Sequence, residues 1–185
     1  MSVSDEIRAW YAYNSNVRKK YLEAFEKLSP DELKKDRGAS FPSLIEIVHH
    51  TLEAYEWWFT VFLQNNGEDH PLLTRSPDDL ASLKQYSELV DREVHSYLSG
   101  VSDELLDKVV TRDVDTENGK RRISLVLKWV LWHMVEEELQ HRGELNALLW
   151  QLNVDPPVTG WDDWMIERRN QPKTRTSEER NNRAS

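Results

Sequence analysis

Apolar and aromatic residues recur at three- and four-residue steps along most of the chain, the period of amphipathic helices. The first stripe is Ile7, Trp10, Val17, Tyr21 and Leu28, with Asn14 on the same face. Ser4, followed by Asp5 and Glu6, reads as the start of this helix, because acids favour the positive end of the helix dipole. Ser29-Pro30-Asp31 ends it or opens a short further turn, and 34–40 reads as a loop punctuated by Gly38. A second helix is predicted from about Phe41-Pro42-Ser43, through LIEIVHHTLEAYEWWFTVFL, to Asn65-Asn66-Gly67. Residues 68–75 read as a loop. Ser76-Pro77-Asp78-Asp79 opens a third helix, striped by Leu80, Leu83, Val90, Val94 and Tyr97 and closed by Gly100.

The texture changes over 101–122. VVTRDVDTENGKRR places the turn pair Asn118-Gly119 between β-tolerant runs, which predicts a short β-hairpin or an extended excursion. The last long helix is predicted from about Ile123 to Leu152, stopped by Asn153 and Pro156-Pro157. A short helix follows at Trp161–Arg169. Residues 170–185 are polar and aperiodic and read as a disordered tail. Four long amphipathic helices predict an all-α four-helix bundle over residues 1–169, with the excursion before the last long helix.

Composition narrows the chemistry. Only 38% of the 185 residues are hydrophobic, but eight Trp, six Tyr and four Phe supply large apolar area for a core. The chain has no cysteine, which excludes disulfides, thiolate metal sites and a cysteine nucleophile of its own, and fits a reducing compartment. No apolar run approaches a membrane span, and the N-terminal MSVSDEIRAW lacks signal-peptide architecture, so a cytoplasmic protein is expected. A net charge of −9 argues against nucleic acid as a partner.

One stretch, WHMVEEELQHRGEL from Trp132 to Leu145, sets polar groups among core residues. An ideal helix turns about 100° per residue, so with Ile123 at zero Val126, Leu127, Val130, Met134, Leu145, Leu148 and Leu152 fall within about 80° of a centre near about 20°. On that projection Glu137 (about 320°), His141 (about 0°) and Glu138 (about 60°) lie inside the stripe. His133 sits on its margin and Glu136 points away. Burying a lone carboxylate is costly unless it is paired or bound to a cation. Glu137 and His141 therefore allow two readings. One is a buried ion pair at i, i+4 or a hydrated pocket. The other is a metal site, since such side chains project in the same direction about 6 Å apart along the axis.

The second helix separates its adjacent histidines. With Leu44 at zero, the stripe holds Leu44, Ile47, Val48, Tyr55, Trp58, Phe59 and Phe62, and the polar face holds Glu46, His49, Glu53 and Thr60. His50 lies on a flank with Ala54, Trp57 and Val61, from where it can point into the bundle. His50, Glu137 and His141 together make a two-His-one-carboxylate set with an open position, the arrangement a catalytic metal needs. A di-iron alternative would use Glu46/His49 and Glu138/His141 as Glu-x-x-His pairs. Against it, Glu46 and His49 straddle a polar face, and the first and third helices offer no evident inward acid. No phosphate loop, serine-nucleophile motif or nucleotide fingerprint is present. His70 and His95 read as surface residues, and Trp161-Asp162-Asp163-Trp164 as a capping segment. Trp57, Trp58 and Trp132 are candidate walls of a pocket near the metal.

FPSLIEIVHHTLEAYEWWF, followed later by HMVEEELQHRGELNALLWQL, resembles the DinB-like (damage-inducible) metalloenzyme superfamily, over about residues 5–165. The resemblance implies a four-helix bundle with a lone His on the second helix and a His-x-x-x-His pair on the last, its second His followed by Arg-Gly. The lone His matches His50, and the His before Arg-Gly matches His141. The first His of the pair falls at 137, where this chain has Glu. His133 does not replace it, being about 12 Å along the axis from His141. Glu is a legitimate ligand, so one divalent ion at His50, Glu137 and His141 is expected, with Zn, Ni, Fe and Mn not distinguished.

The resemblance also implies a thiol transferase or isomerase that uses a low-molecular-weight thiol such as bacillithiol or mycothiol. An open metal position can bind and deprotonate a thiol, which would give a cysteine-free protein a borrowed sulfur. The expectation is thus a cytoplasmic metal-dependent enzyme taking a small-molecule substrate and a cellular thiol, homodimeric, with no membrane partner. Glu138 and His133 are general-base candidates by proximity alone. The competing expectation is a metal-free bundle that binds a small molecule or only dimerises, with Glu137 and His141 as a buried pair.

Overall fold

The computed structural model describes residues 2–66, 79–116 and 119–170. Helix α1 spans Val3–Ala24 and runs into a 3-10 turn at Phe25–Lys27. Its cap is Ser2, not Ser4: Ser2 Oγ accepts from Asp5 N–H and the Asp5 carboxylate accepts from Ser2 N–H. Ser4 is instead buried, with its own N–H bonded to Asp103. Helix α2 (Pro30–Lys34) is the short further turn, capped by Ser29. Helix α3 covers Leu44–Glu56 and is capped by Ser43, so Pro42 precedes the helix rather than opening it. It continues as a π-helical segment, Trp57–Leu63.

Helix α4 (Leu80–Ser99) starts at a capping box between Asp79 and Ser82 and ends at Gly100. The expected loop at 68–75, the Ser76-Pro77-Asp78 start, Gly67, His70, Asn118 and the tail beyond 170 lie outside the described residues. A short helix α5 (Asp103–Leu106) that periodicity did not announce precedes the hairpin. Strands β1 (Val109–Thr116) and β2 (Gly119–Val126) pair antiparallel from Val109↔Val126 to Thr116↔Gly119. Gly119 adopts φ +97, a backbone conformation that side chains resist. Asp113↔Arg122 and Asp115↔Lys120 set opposite charges across the strands. Arg112 reaches the Leu63 carbonyl and ties the hairpin to the end of the π segment.

Helix α6 runs Leu127–Gln151 and α7 Trp161–Asn170. The last long helix therefore begins at Leu127, and Ile123 belongs to β2. This moves the phase of the projection. With Leu127 at zero, the buried residues from Leu127 to Leu149 centre at about 5°, Glu138 sits almost on that centre at about 20°, and Glu137 lies at about 280°, on the flank. The π segment shifts α3 in the same way. One extra residue per turn carries Thr60 off the expected polar face and into the core, where it donates to the Glu56 carbonyl.

The bundle is a square in which α1 and α3 are each flanked by α4 and α6. Its core is built on Tyr21, Phe25, Tyr55, Phe59, Phe62 and Tyr86, all fully buried, interleaved with leucines from every long helix. The segment around α7 caps one side as expected: Trp161 stacks on Trp10 at 4.1 Å and Trp164 packs against Tyr13. No helix among the described residues is long and apolar enough to cross a membrane.

A polar network crosses this core and touches all four long helices. Arg18 of α1 donates to Glu138 of α6 at 2.8 Å, to Ser87 of α4 at 3.1 Å, and to Asp91 of α4. Tyr55 of α3 donates to Glu138 at 2.7 Å, Asn14 to the Tyr55 hydroxyl at 3.2 Å, and Arg142 to Asn14 at 2.6 Å. Glu138 is 4% exposed, so its charge is sustained by these donors and by Arg142 at 3.7 Å rather than by water.

Burial pushes the Tyr11 and Tyr55 hydroxyls well above their ordinary value of 10.0, Tyr55 further through the Glu138 charge, and pushes Tyr21 up to about 12. The folded chain thus holds these protons more tightly than the unfolded chain. That stabilisation is complete below about pH 10 and is lost as pH rises toward the folded values. Thermal melts followed by circular dichroism are expected to show Tm falling progressively above about pH 10. A Tm that stays level through the alkaline range would contradict this account of the core.

Candidate metal centre

His50, Glu137 and His141 meet where α3 crosses α6. His50 Nε2 lies 3.1 Å and His141 Nε2 3.2 Å from the same atom, Glu137 Oε1, and the ligand atoms of the three residues all lie within 4.8 Å of one another. The helix spacing creates this: Glu137 and His141 are one turn apart on α6, and His50 faces them from α3. The rings of His50 and His141 are 5.1 Å apart and nearly perpendicular, so both can aim a nitrogen at one point. His50 is 32% and Glu137 20% exposed in the side chain, so the group opens to solvent on one side. Two imidazoles and a carboxylate at this separation fit a divalent first-row ion.

Electrostatics agree with a preformed anionic centre. Partial burial raises the Glu137 carboxyl, but the hydrogen bonds from His50 and His141 outweigh it and hold the group below the ordinary glutamate range. Behind His141, a cavity of about 20 Å³ lined by Arg18, Thr51, Glu138 and Arg142 separates the group from the buried network. It has room for about one water molecule.

His49 does not join the group. It lies 3.5 Å from Glu53 and packs toward Tyr86 of α4. His95 is exposed, as expected. Glu138, a general-base candidate from sequence, is committed to Arg18 and Tyr55 in the core. His133, the other candidate, is 44% exposed and forms a second possible metal-holding set with Glu136 and the shared Glu137. Trp58 packs edge-on against His133, while Trp132 turns to the opposite side of α6 and meets Trp10. Sequence reading missed Phe41, which stacks on His50 at 3.9 Å, and Glu144, which lies 2.7 Å from His141 Nδ1. Glu144 sits one turn after His141, the one signal that could have flagged it.

The fold and the group define a class: a four-helix bundle with a His/Glu cluster able to hold a metal between two of its helices. Residues 1–173 match the DinB family, and the chain belongs to that family. A DinB-like protein of Bacillus cereus ATCC 10987 superposes with a TM-score of 0.61 at 15% identity, over 83% of this chain and 95% of that one. A DinB-like protein of Bacillus subtilis does so with a TM-score of 0.57 at 20% identity, over 81% and 96%. At these identities the two share the fold. No curated protein matches the chain.

Proposed function

We propose that His50, Glu137 and His141 hold one divalent metal ion, and that the protein is a metal-dependent enzyme acting on a small cellular thiol. The observation that carries the metal reading is the convergence of two imidazole nitrogens, from two helices, on one oxygen of Glu137. When bound, such an ion supplies Lewis acidity that lowers the pKa of a thiol presented to it. The thiol reading rests on the family resemblance and on the absence of cysteine, which leaves the sulfur to a co-substrate. The reaction class is transfer of an electrophilic carbon to that sulfur: a C–S bond forms, the thiol proton passes to solvent water, and the leaving group departs with the electrons of its bond to carbon. The chain's part is to orient. The two helices fix the donors, Phe41 packs on His50, and the open side admits substrate. A homodimer fits the face of α6 that, among the described residues, leaves Trp129, Leu139 and Trp150 exposed.

The test is loss of free thiol when the metal-loaded protein is given bacillithiol, mycothiol or glutathione with a panel of alkylating and epoxide electrophiles. Thiol consumption above the uncatalysed rate with at least one pair, lost in His141→Ala, is expected. No catalysed consumption with any thiol would remove the transferase reading and leave the metal site standing.

A further inference from the structure

His141 lies between two carboxylates. Its Nε2 faces Glu137 at 3.2 Å, and its Nδ1 faces Glu144 Oε2 at 2.7 Å. Glu144 is itself held from the loop before α3: Ser40 N–H donates to Oε1 at 3.2 Å and the Ser40 hydroxyl to Oε2 at 2.7 Å. The next residue, Phe41, stacks on the His50 ring and meets the His141 ring edge-on at 5.6 Å. Two consecutive loop residues therefore restrain both histidines, one through Glu144 and one directly.

We propose that Glu144 is a positioning residue that fixes His141 in its Nδ1–H tautomer, with Ser40 holding the carboxylate in place. The proposal rests on the metal reading of the His50–Glu137–His141 group. A neutral imidazole has one N–H and one lone pair, and an ionised carboxylate only accepts. Glu144 therefore accepts from Nδ1–H, and Nε2, which meets Glu137 in this structure, is the nitrogen that would offer its lone pair to an ion. A carboxylate behind a ligating histidine also raises its basicity and fixes its ring plane. A glutamate on a helix surface ordinarily spreads over several rotamers. The two donors from Ser40 remove that freedom, because they come from a different element than α6 and fix where the carboxylate stands.

The test uses the full chain as wild type, Glu144→Ala, Glu144→Gln and Ser40→Ala. Zn²⁺ affinity is measured by competition with a chromogenic chelator, the His141 tautomer by long-range ¹H–¹⁵N NMR, and folding by thermal melts. In Zn²⁺-loaded wild type His141 is expected as Nδ1–H. Glu144→Ala should weaken Zn²⁺ binding by about ten- to a hundredfold and mix the tautomers. Glu144→Gln, whose amide oxygen still accepts from Nδ1–H, should recover most of the affinity, and Ser40→Ala should lose less than Glu144→Ala. Wild-type affinity in Glu144→Ala, or Nε2–H in the Zn²⁺-loaded wild type, overturns the proposal. So does a lower Tm at unchanged affinity, which is the signature of a purely structural role. If Glu144→Ala does not fold, Ser40→Ala decides by the same readings, since Ser40 is exposed. A wild type that binds no Zn²⁺ overturns the metal reading and this proposal with it, whereas a tight wild type with an equally tight Glu144→Ala overturns this one alone.

Discussion

Glu137→Ala is expected to abolish stoichiometric metal binding while leaving the protein folded. Glu137 Oε1 is the atom on which both histidines converge, and its carboxylate is the group's one anionic ligand. Without it two neutral imidazoles remain, too few for a stable protein site. The cost to stability should be small, about 1 kcal/mol or less, because the side chain is partly exposed and its partners can be hydrated. Glu137→His is the informative companion. It restores the residue that the family resemblance places here. It is expected to keep one ion but to shift preference from Mn²⁺ toward Zn²⁺ or Ni²⁺, as an oxygen donor is exchanged for nitrogen. Elemental analysis after loading from an equimolar metal mixture reads both effects. Retention of a full equivalent of metal by Glu137→Ala would place the ion outside both sets that share Glu137.

The neighbouring residue should behave in the opposite way. Glu138→Ala is expected to destabilise the fold by about 3 kcal/mol, because it leaves the buried Arg142 charge without its acid and Arg18 with Asp91 alone. Tyr55 loses its acceptor as well. For a chain of this size the fall in Tm should be on the order of 10 °C. Glu138→Gln, which keeps an acceptor for Tyr55, should fall between. Metal binding by the folded fraction should persist, since Glu138 supplies no ligand to the metal-holding group. Calorimetry with parallel metal analysis checks the pair. Loss of metal from a well-folded Glu138→Ala protein would mean that the network behind His141 belongs to the centre itself.

That two adjacent glutamates take such different parts explains how far the sequence could be read. The three members of the group were legible because helical periodicity alone brings Glu137 and His141 to one side of α6 and turns His50 inward from α3. The exact phase was not. Anchoring the projection on Ile123, a strand residue, set the centre of the stripe about 25° from that of the buried face, so Glu138 lay about 40° off centre when it stands within about 15° of it. The π segment is likewise invisible to a 3.6-residue rule, so Thr60 was placed outside. Arg18 carried a readable signal, one turn after Asn14 on the apolar stripe of α1. Its pairing with Glu138 did not, because it joins two helices far apart in sequence. The same holds for Ser40 and Glu144, a loop residue and a helix residue with no common period.

The central claim is that one divalent ion belongs to His50, Glu137 and His141. It is tested most directly by inductively coupled plasma analysis of protein purified without added chelator, beside His50→Ala and His141→Ala. One equivalent of a first-row divalent metal per wild-type chain, and loss of it in both folded variants, is the predicted result. A wild type with no stoichiometric metal even after loading, or variants that hold as much as the wild type, would contradict it and leave Glu137 and His141 as a buried pair in a metal-free bundle.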